Sequence, residues 1–490
     1  MTHSNTATKY AEVEYDPFAG PELSRSVPTT EPQREIWFAV QLGDDASMSY
    51  NESVTLHVTG ALDIDAMRAA LRELSNRHDA LRATFTVDGQ SMLIASQGQL
   101  AAEIVDQRGK SDDEQRRCLA ALKAAAAVTP FDLATGPLVR AQIVMLSDTS
   151  NEIIITSHHI VCDGWSLGVL CKDLMALYSA LVGSGAAVLP SPAYSFADYA
   201  IDQLDDAQAA VAEADIGYWV DCYRDPPPVL DLPTDRARGS ERSFASRRID
   251  HVPPPDLVDG ARKLGAKQGV SLFATLFGLF AAMLDRLGGD GAVVVGVPSA
   301  GQAARGLDTL VGHCVNLLPV KVKTARQSPI GQLLQHAGGQ ILDAYDHQSC
   351  TFGSLLTRLD LPRVANRLPL VSVLFNIDSP IAPKDLAAEG LSVSLSSNPR
   401  AFEAFDLFVN ATQTGNGLVL ECQYQVDLFD AETIERWLQL YQCAIERAIA
   451  NPALPVEALF SASPDDLKKL QSLNATAHSY PTNARIEQLF

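Results

Sequence analysis

Two adjacent histidines, His158 and His159, end the apolar run in the stretch IIITSHHIVCDGWS (residues 153–166), and an Asp-Gly pair follows at 163–164. A neutral imidazole suits a general base, or a group that holds a nucleophilic amine or hydroxyl. Successive side chains of an extended strand point to opposite faces, so the two histidines cannot share one task. We expect one imidazole to face a cavity and the other to pack inside.

The Asp-Gly pair has a different expected role. Asp163 lies on the turn after the strand, where it is poorly placed to pass a proton to a strand residue. We expect it to fix the turn through an ion pair or backbone hydrogen bonds. Gly164 suits a backbone position with positive φ, or one that approaches another group closely.

Three other interpretations of the stretch compete. It could hold two core histidines followed by a common Asp-Gly turn. It could be a metal site formed by both histidines, Cys162 and Asp163, but no second ligand cluster has the usual zinc spacing, so no metal is predicted. It could use Cys162 as a nucleophile, although nothing in the sequence marks this thiol as activated.

The elements around the motif are predictable from their periodicity. EIIITSHHI is typical of a buried β-strand, as is LVRAQIVML before it. After the motif, leucines recur at spacings of three and four, which predicts a helix that Ser166 caps and Gly183 ends. Two earlier helices are predicted, an amphipathic one over LDIDAMRAALRELSNRHDALRATF (62–85) and an Ala-rich one over 112–127. The motif should therefore lie on a loop between a strand and a helix, where chemistry is often found.

Composition bounds the function class. With 490 residues, 47% of them hydrophobic and 20% charged, the chain is long enough for two globular domains. A net charge of −21 argues against non-specific nucleic-acid binding. The polar N-terminus and the lack of an apolar run of about 20 residues favour a cytoplasmic protein without a membrane segment. Eight scattered cysteines without a C-x-x-C pair are expected to be reduced thiols.

Mixed strands and helices in both halves, separated by the Pro-rich stretch RDPPPVLDLPTDRARG, predict an α+β fold of two lobes. The expected divisions are a flexible leader over 1–24, an N-terminal lobe over 25–205, a C-terminal lobe over 206–460 and a linker over 461–490.

The pattern H-H-x-x-x-D-G followed by W-S resembles the active-site signature of the condensation domains of nonribosomal peptide synthetases, in the chloramphenicol acetyltransferase-like superfamily. Further stretches resemble the family's other motifs in order, and the resemblance covers roughly residues 25–490. The tail resembles the join to an adenylation domain. The supporting stretches are TEPQREIWFAVQL (30–42), RHDALRATF (77–85), YSFADYA (194–200), VGHCVNLLPVKV (311–322), DHQSCTFGSLL (346–356) and ANRLPLVSVLFN (365–376).

This resemblance implies two acetyltransferase-like α/β sandwich lobes in a V, with a tunnel between them. A donor acyl thioester on one carrier protein and an aminoacyl thioester on a second would meet at the histidine loop, each on a phosphopantetheine arm, while the domain itself binds no cofactor. His159 would act at the reacting centre as a base or by positioning the nucleophile, Gly164 would line the site, and His158 and Asp163 would hold the architecture. The expected substrate-binding residues are Trp165, Ser166, Asn316 and Gln302.

Two positions depart from the family pattern. Relatives usually carry, where Gln302 stands here, an arginine that pairs with the motif aspartate. Gln302 can hydrogen-bond to Asp163 but cannot neutralise it, so Arg77, Arg82 or Arg305 is expected to supply the cation. The motif over 194–200 usually ends in tryptophan, whereas Asp202 follows here. The stretch EIWFAVQLGDDASMSYNES resembles condensation domains that follow polyketide modules, which implies a polyketide-type donor.

The leading prediction is amide formation between two carrier-bound substrates, in antibiotic or other secondary-metabolite biosynthesis. The expected partners are an upstream donor carrier, a downstream acceptor carrier and an adenylation domain, with the isolated domain monomeric. An ester-forming variant would use the same histidine. An epimerization domain shares the motif but normally follows a carrier, and a non-catalytic docking platform usually loses the motif.

Overall fold

A computed structural model describes residues 22–461 except 184–193, 226–228, 362–365, 379–380, 389 and 415–416, together with residues 472 and 474. The expected linker over 461–490, apart from residues 461, 472 and 474, and most of the expected leader therefore lie outside the described residues. The one testable part of the leader prediction is wrong, because the first strand begins at Leu23 and pairs antiparallel with a strand that ends at Ala95.

Strands and helices alternate along the described chain, as the α+β prediction requires. The strands are β1 (Leu23–Pro28), β2 (Asn51–Thr59), β3 (Ala83–Phe85), β4 (Ser91–Ala95), β5 (Ala102–Asp106), β6 (Val139–Met145), β7 (Ser150–His158), β8 (Ser246–His251), β9 (Ala292–Ala300), β10 (Val315–Lys323), β11 (Val373–Asp378), β12 (Ser392–Ser397), β13 (Leu407–Thr414) and β14 (Gly417–Gln425). The helices are α1 (Glu31–Val40), α2 (Asp44–Met48), α3 (Ile64–Arg77), α4 (Asp112–Val128), α5 (Gly164–Val182), α6 (Phe196–Asp202), α7 (Asp206–Cys222), α8 (Pro255–Gln268), α9 (Leu272–Gly288), α10 (Gly301–Ala304), α11 (Ile330–Asp346), α12 (Phe352–Arg358) and α13 (Ala431–Ala450).

The N-terminal core lies around a five-stranded sheet in the order β12-β2-β7-β6-β5. The β-branched run Ile153–Ile155 places β7 at its centre, between β2 and β6, with antiparallel pairing on both sides. Helix α3 begins where the Asp63 carboxylate accepts from the Ala66 amide at 2.9 Å, and it packs against α5. The predicted helices and strands of this lobe are confirmed, except that the helix predicted over 62–85 ends at Arg77, where His78 adopts an extended backbone, and residues 83–85 form β3.

The C-terminal core surrounds a six-stranded sheet in the order β10-β9-β11-β13-β14-β8. Helix α9 is apolar on nearly all faces and almost wholly buried, whereas α13 buries one stripe that includes Trp437 and Tyr441. Two separate hydrophobic cores confirm the two-lobed α+β class.

Two segments from the C-terminal half complete the N-terminal lobe. Strand β12 pairs antiparallel with β2 at the sheet edge, from Ser392 opposite Thr59 to Ser397 opposite Val54. Leu310, Val311 and Cys314, which precede β10, are buried in the N-terminal core. The lobes are therefore joined by strand pairing and by a docked loop. The predicted division into 25–205 and 206–460 leaves these two segments out of the N-terminal lobe.

One described helix, Gly164–Val182, has the length and apolar character of a membrane-crossing segment, contrary to the expectation that no run approaches that length. Half of its most apolar window is buried inside the protein, as in the core helix of a globular lobe.

Candidate active site

The strand, turn and helix around the motif form as the sequence predicts. His158 is the last residue of β7 and lies opposite Asn51 of β2. His159 opens the turn, and its amide donates to the Tyr50 carbonyl at 2.8 Å. Helix α5 begins at Gly164 and ends at Val182, with Gly183 as its C-cap. The motif thus joins the central strand of the N-terminal sheet to that lobe's core helix.

His158 points into the core and is fully buried. Its Nδ1 accepts from the Ile160 amide at 3.3 Å, and its ring lies 6.0 Å from the rings of both Tyr50 and Phe131. Burial, together with the neighbouring His159, lowers the pKa of His158 to about 3. The side chain is therefore a neutral packing group at physiological pH.

His159 points the other way and keeps 19% of its side chain exposed. The division of the pair into one inner and one outward imidazole therefore matches the expectation from strand geometry. His159 Nδ1 lies 3.1 Å from Nδ1 of His313, and its Nε2 lies 3.5 Å from Oε1 of Glu52. Both ring nitrogens thus have polar neighbours.

The carboxylate beside His159 is itself paired with a cation from the connection between the lobes. Arg400 follows β12 and contacts Oε1 of Glu52 through Nη2, while its Nη1 lies 3.0 Å from Oε2 of Glu403. The side chain of Glu403 is only 3% exposed. Burial raises the pKa of Glu403, and the arginine opposes that rise.

Asp163 is fully buried and accepts hydrogen bonds at both carboxylate oxygens. Its Oδ1 caps α5 by accepting from the Ser166 amide at 2.8 Å, and it accepts from the Ser166 hydroxyl at 2.7 Å. Its Oδ2 accepts from Nε2 of Gln302 at 2.9 Å and from the Cys314 amide at 3.0 Å. The helix cap is therefore Asp163, and the prediction of Ser166 as the cap is wrong.

The prediction that an arginine pairs with Asp163 is also wrong among the described residues. Arg77 bonds to Asp173 at 2.6 Å, and Arg82 donates to the Ala95 carbonyl. Arg305 donates to the side chains of Gln203 and Gln208. Four neutral donors around Asp163 leave no room in its hydrogen-bonding shell for a separate cation, which is why Gln302 suffices there.

The four expected substrate-binding residues all make contacts within the protein. Ser166 and Gln302 are both fully buried, and the Ser166 hydroxyl also accepts from the Gly312 amide at 3.0 Å. Trp165 is 38% exposed and donates from Nε1 to the Asp308 carbonyl at 3.0 Å. Asn316 is half-buried and donates to the Gln348 carbonyl at 2.8 Å. As substrate-binding residues, all four stay predictions.

Gly164 is exposed, and its φ is not positive, so the first of its two expected reasons is wrong, while a close approach of substrate to its backbone stays a prediction. A Cβ at this position would meet no atom within 4 Å. Cys162 is fully buried, and burial with the adjacent Asp163 charge raises the pKa of its thiol well above the usual range. This makes a thiolate nucleophile unfavourable. Within the described ranges, no group of three His, Cys, Asp or Glu side chains could hold a metal ion.

The family model for the condensation domain matches residues 24–471. The chain belongs to the condensation domain family. It is 31% identical over 472 residues to malpinin synthetase of Mortierella alpina and 29% identical over 469 residues to a linear gramicidin synthase of Brevibacillus parabrevis. Each match covers 95% of this chain but only 6% of the relative, so the chain spans a small part of the length of these synthetases.

Solved structures show the same fold. The condensation domain of the monacolin K polyketide synthase superposes with a TM-score of 0.77 at 17% identity, over 89% of this chain and all of that one. A four-domain nonribosomal peptide synthetase bound to AMP and glycine superposes with a TM-score of 0.76 at 20% identity, over 91% of this chain and 35% of that one. The chain is thus a condensation domain of the type found in nonribosomal peptide synthetases, with the acetyltransferase-like two-lobed fold.

In this condensation domain, sequence reasoning missed the three residues that surround the outward histidine. They lie far from the motif along the chain and reach it through the pairing of β2 with β7, the docked loop before β10 and the crossover strand β12. One signal was available, because the stretch VGHCVNLLPVKV was already identified as a family motif and contains a histidine. The residues are Glu52, His313 and Arg400.

Proposed function

We propose that this condensation domain transfers the acyl group of a carrier-bound donor, peptidyl or polyketide-type, to the amine of a carrier-bound aminoacyl acceptor. The acceptor nitrogen attacks the thioester carbonyl, a C–N bond forms, and the C–S bond breaks. The amine gives up a proton and the released phosphopantetheine thiolate takes one up, so no oxidant, metal or further co-reactant is needed. The substrates arrive on arms of partner carrier proteins, and the domain works beside an adenylation domain.

The observation that carries the proposal is the outward imidazole of His159 within an intact H-H-x-x-x-D-G motif. It is partly exposed, and it lies between Glu52 of the N-terminal sheet and His313 of the loop before β10. Both substrate arms would have to meet at such a boundary between the halves of the chain. Because a thioester is already activated, placing amine and carbonyl together at this imidazole supplies much of the rate acceleration.

The proposal also assigns roles to neighbouring residues. Gly164 leaves an open position at the start of α5, where the phosphopantetheine arm can lie along the backbone. His158 and Asp163 hold the strand end and the helix start. The segment after 461 is proposed to lead to the adenylation domain.

The decisive experiment mixes this protein with a donor-loaded carrier and an acceptor-loaded carrier and follows acyl transfer by mass spectrometry. We expect His159→Ala to lose activity on the order of 100-fold or more, the scale of a positioned acid–base group. His336→Ala, which changes a half-buried histidine of α11, is the matched control and should retain activity.

Other outcomes separate the alternatives. Transfer only to a hydroxyl acceptor would assign ester formation, and exchange of the acceptor's α-hydrogen without transfer would assign epimerization. Binding of loaded carriers by the wild type without either reaction would identify a docking platform. Retention of most transfer by His159→Ala would remove the catalytic assignment.

A further inference from the structure

The ring of His159 is contacted at both nitrogens, and these contacts decide which nitrogen carries the proton. Which tautomer a histidine adopts is set by the hydrogen bonds that its two nitrogens make. Here one neighbour is the imidazole of His313, 3.1 Å away, and the other is the carboxylate of Glu52, 3.5 Å away.

His313 can supply one N–H and no charge. It is buried, and burial with the two neighbouring histidines lowers its pKa well below the ordinary value. Its Nδ1 faces Nδ1 of His159, so one of these two atoms must donate and the other must accept. This contact alone allows both arrangements.

Glu52 removes that choice. The carboxylate of Glu52 offers only acceptor atoms, and Nη2 of Arg400 contacts its Oε1. An Nε2–H of His159 then lies 3.5 Å from an acceptor oxygen, and His159 Nδ1 accepts from His313. The opposite tautomer would set the Nε2 lone pair against a negative oxygen.

The position of Arg400 is fixed by the strand that crosses between the lobes. Asn398, which follows β12, donates from Nδ2 to the Ser53 hydroxyl at 2.9 Å and accepts from the Thr55 hydroxyl at 2.9 Å. Its amide also donates to the Ser53 carbonyl. These bonds lock the register of the crossover next to Glu52, so the guanidinium reaches the carboxylate without a long mobile connection.

We propose that Glu52, held by Arg400, is a positioning residue that fixes His159 as the Nε2–H tautomer. The role in catalysis rests on the proposed function, whereas the tautomer does not. In this arrangement Nε2 of His159 carries its proton beside Glu52, and the Nδ1 lone pair is occupied by His313. Glu52 therefore holds the ring in a single orientation, and Nδ1 can accept a hydrogen bond or a proton from the acceptor amine only after His313 releases it.

The tautomer is measured by NMR of the protein with 15N-labelled histidine side chains, using His159→Ala to assign one of its 10 histidines. The wild type should show the Nε2–H form at His159, and Glu52→Gln should show a mixture, because a primary amide can either donate or accept. An Nδ1–H form in the wild type, or an unchanged spectrum in Glu52→Gln, would overturn the proposal. This readout needs no carriers, so it stands or falls independently of transfer activity.

Transfer kinetics test the functional half. Glu52→Gln should lower kcat by about tenfold to 100-fold with little change in KM, and Glu52→Asp should restore part of it. Glu103→Gln, which changes an exposed carboxylate on β5 that accepts from Gln142, is the matched control. A rise in KM alone, or equal loss in Glu52→Asp, would contradict positioning. A wild type with the expected tautomer but no transfer would instead refute the proposed function.

Discussion

Replacing Asp163 with asparagine tests whether the motif aspartate joins the two halves of the chain. The carboxylate accepts at Oδ1 from Ser166 and at Oδ2 from Gln302 and Cys314, and it is fully buried. An asparagine of the same shape has one oxygen and one NH2 group. If its oxygen stays toward Ser166 and caps α5, its NH2 faces two donors from the C-terminal half.

The size of the loss follows from those contacts. Gln302 can turn its amide to present Oε1, which has no hydrogen-bond partner among the described residues, but the backbone N–H of Cys314 cannot turn. One buried donor then lacks an acceptor, and the remaining bonds weaken from charged to neutral. This loss is partly offset, because burying a neutral asparagine costs less free energy than burying a carboxylate. We expect a net loss of about 2 to 4 kcal/mol.

Differential scanning calorimetry can detect a loss of this size. For a chain of this length that unfolds as one unit, ~1 kcal/mol corresponds to roughly 1 °C in Tm, so Asp163→Asn should melt about 2 to 4 °C lower. The matched control is Asp63→Asn at the exposed start of α3, because asparagine caps helices as well as aspartate does. Equal melting of the two variants would show that the Oδ2 bonds contribute nothing. A double-mutant cycle tests the contact with Gln302 separately. When Gln302→Ala is made in the wild type and in Asp163→Asn, the two substitutions should couple by about 1 kcal/mol in the free energy of unfolding.

Two more predictions use other parts of the structure. Burial, followed by the nearby Glu31 charge, raises the pKa of Glu35 on α1 from 4.5 to about 7, although the amide of Gly353 donates to it at 3.0 Å across the lobe boundary. A carboxyl with a higher pKa in the folded chain lowers the free energy of unfolding as pH rises from about 4.5 to about 7. Over that interval the free energy of unfolding of Glu35→Gln should therefore rise relative to that of the wild type by at most about 3 kcal/mol. Thermal melts at pH 5 and pH 8, with the exposed Glu73→Gln as control, should show a gap that widens with pH. Gly164→Ala should keep or raise Tm but lower acyl transfer. The control Gly339→Ala, at an equally open helical position, should raise Tm without affecting transfer. Unchanged transfer in Gly164→Ala would show that the phosphopantetheine arm does not pass Gly164.

The sequence predicted the local elements well because their periodicity is strong. Three successive isoleucines before the motif and leucines at helical spacing after it leave little ambiguity about β7 and α5. What it could not predict was the pairing between distant segments. Strand β12 is short, with serine at alternate positions, and nothing in it indicates that its partner is β2 of the other lobe. That pairing depends on how two completed cores meet, which local propensity does not encode.

In the site as well, relations between neighbouring residues were predictable and contacts between distant segments were not. Strand alternation correctly separated His158 from His159, since it depends only on neighbouring residues. The partner of Asp163 was misassigned because charge alone suggested an arginine, whereas burial and geometry supply four neutral donors. A buried carboxylate with several hydrogen bonds can remain without a cation, and a sequence shows neither burial nor donors.

The spacing of H-H-x-x-x-D-G follows from these contacts. The first histidine ends a buried strand, and the second faces outward because the chain reverses face at each residue. Three residues then complete the turn, so that the aspartate arrives at the N-cap of α5 and the glycine at the first helical position. Since one carboxylate oxygen caps the helix and the other accepts from Gln302 and Cys314, the same residue sets the turn and fastens it to the C-terminal half. Inserting or deleting one residue in the turn would break one of these two attachments, and His159 would lose its place between Glu52 and His313.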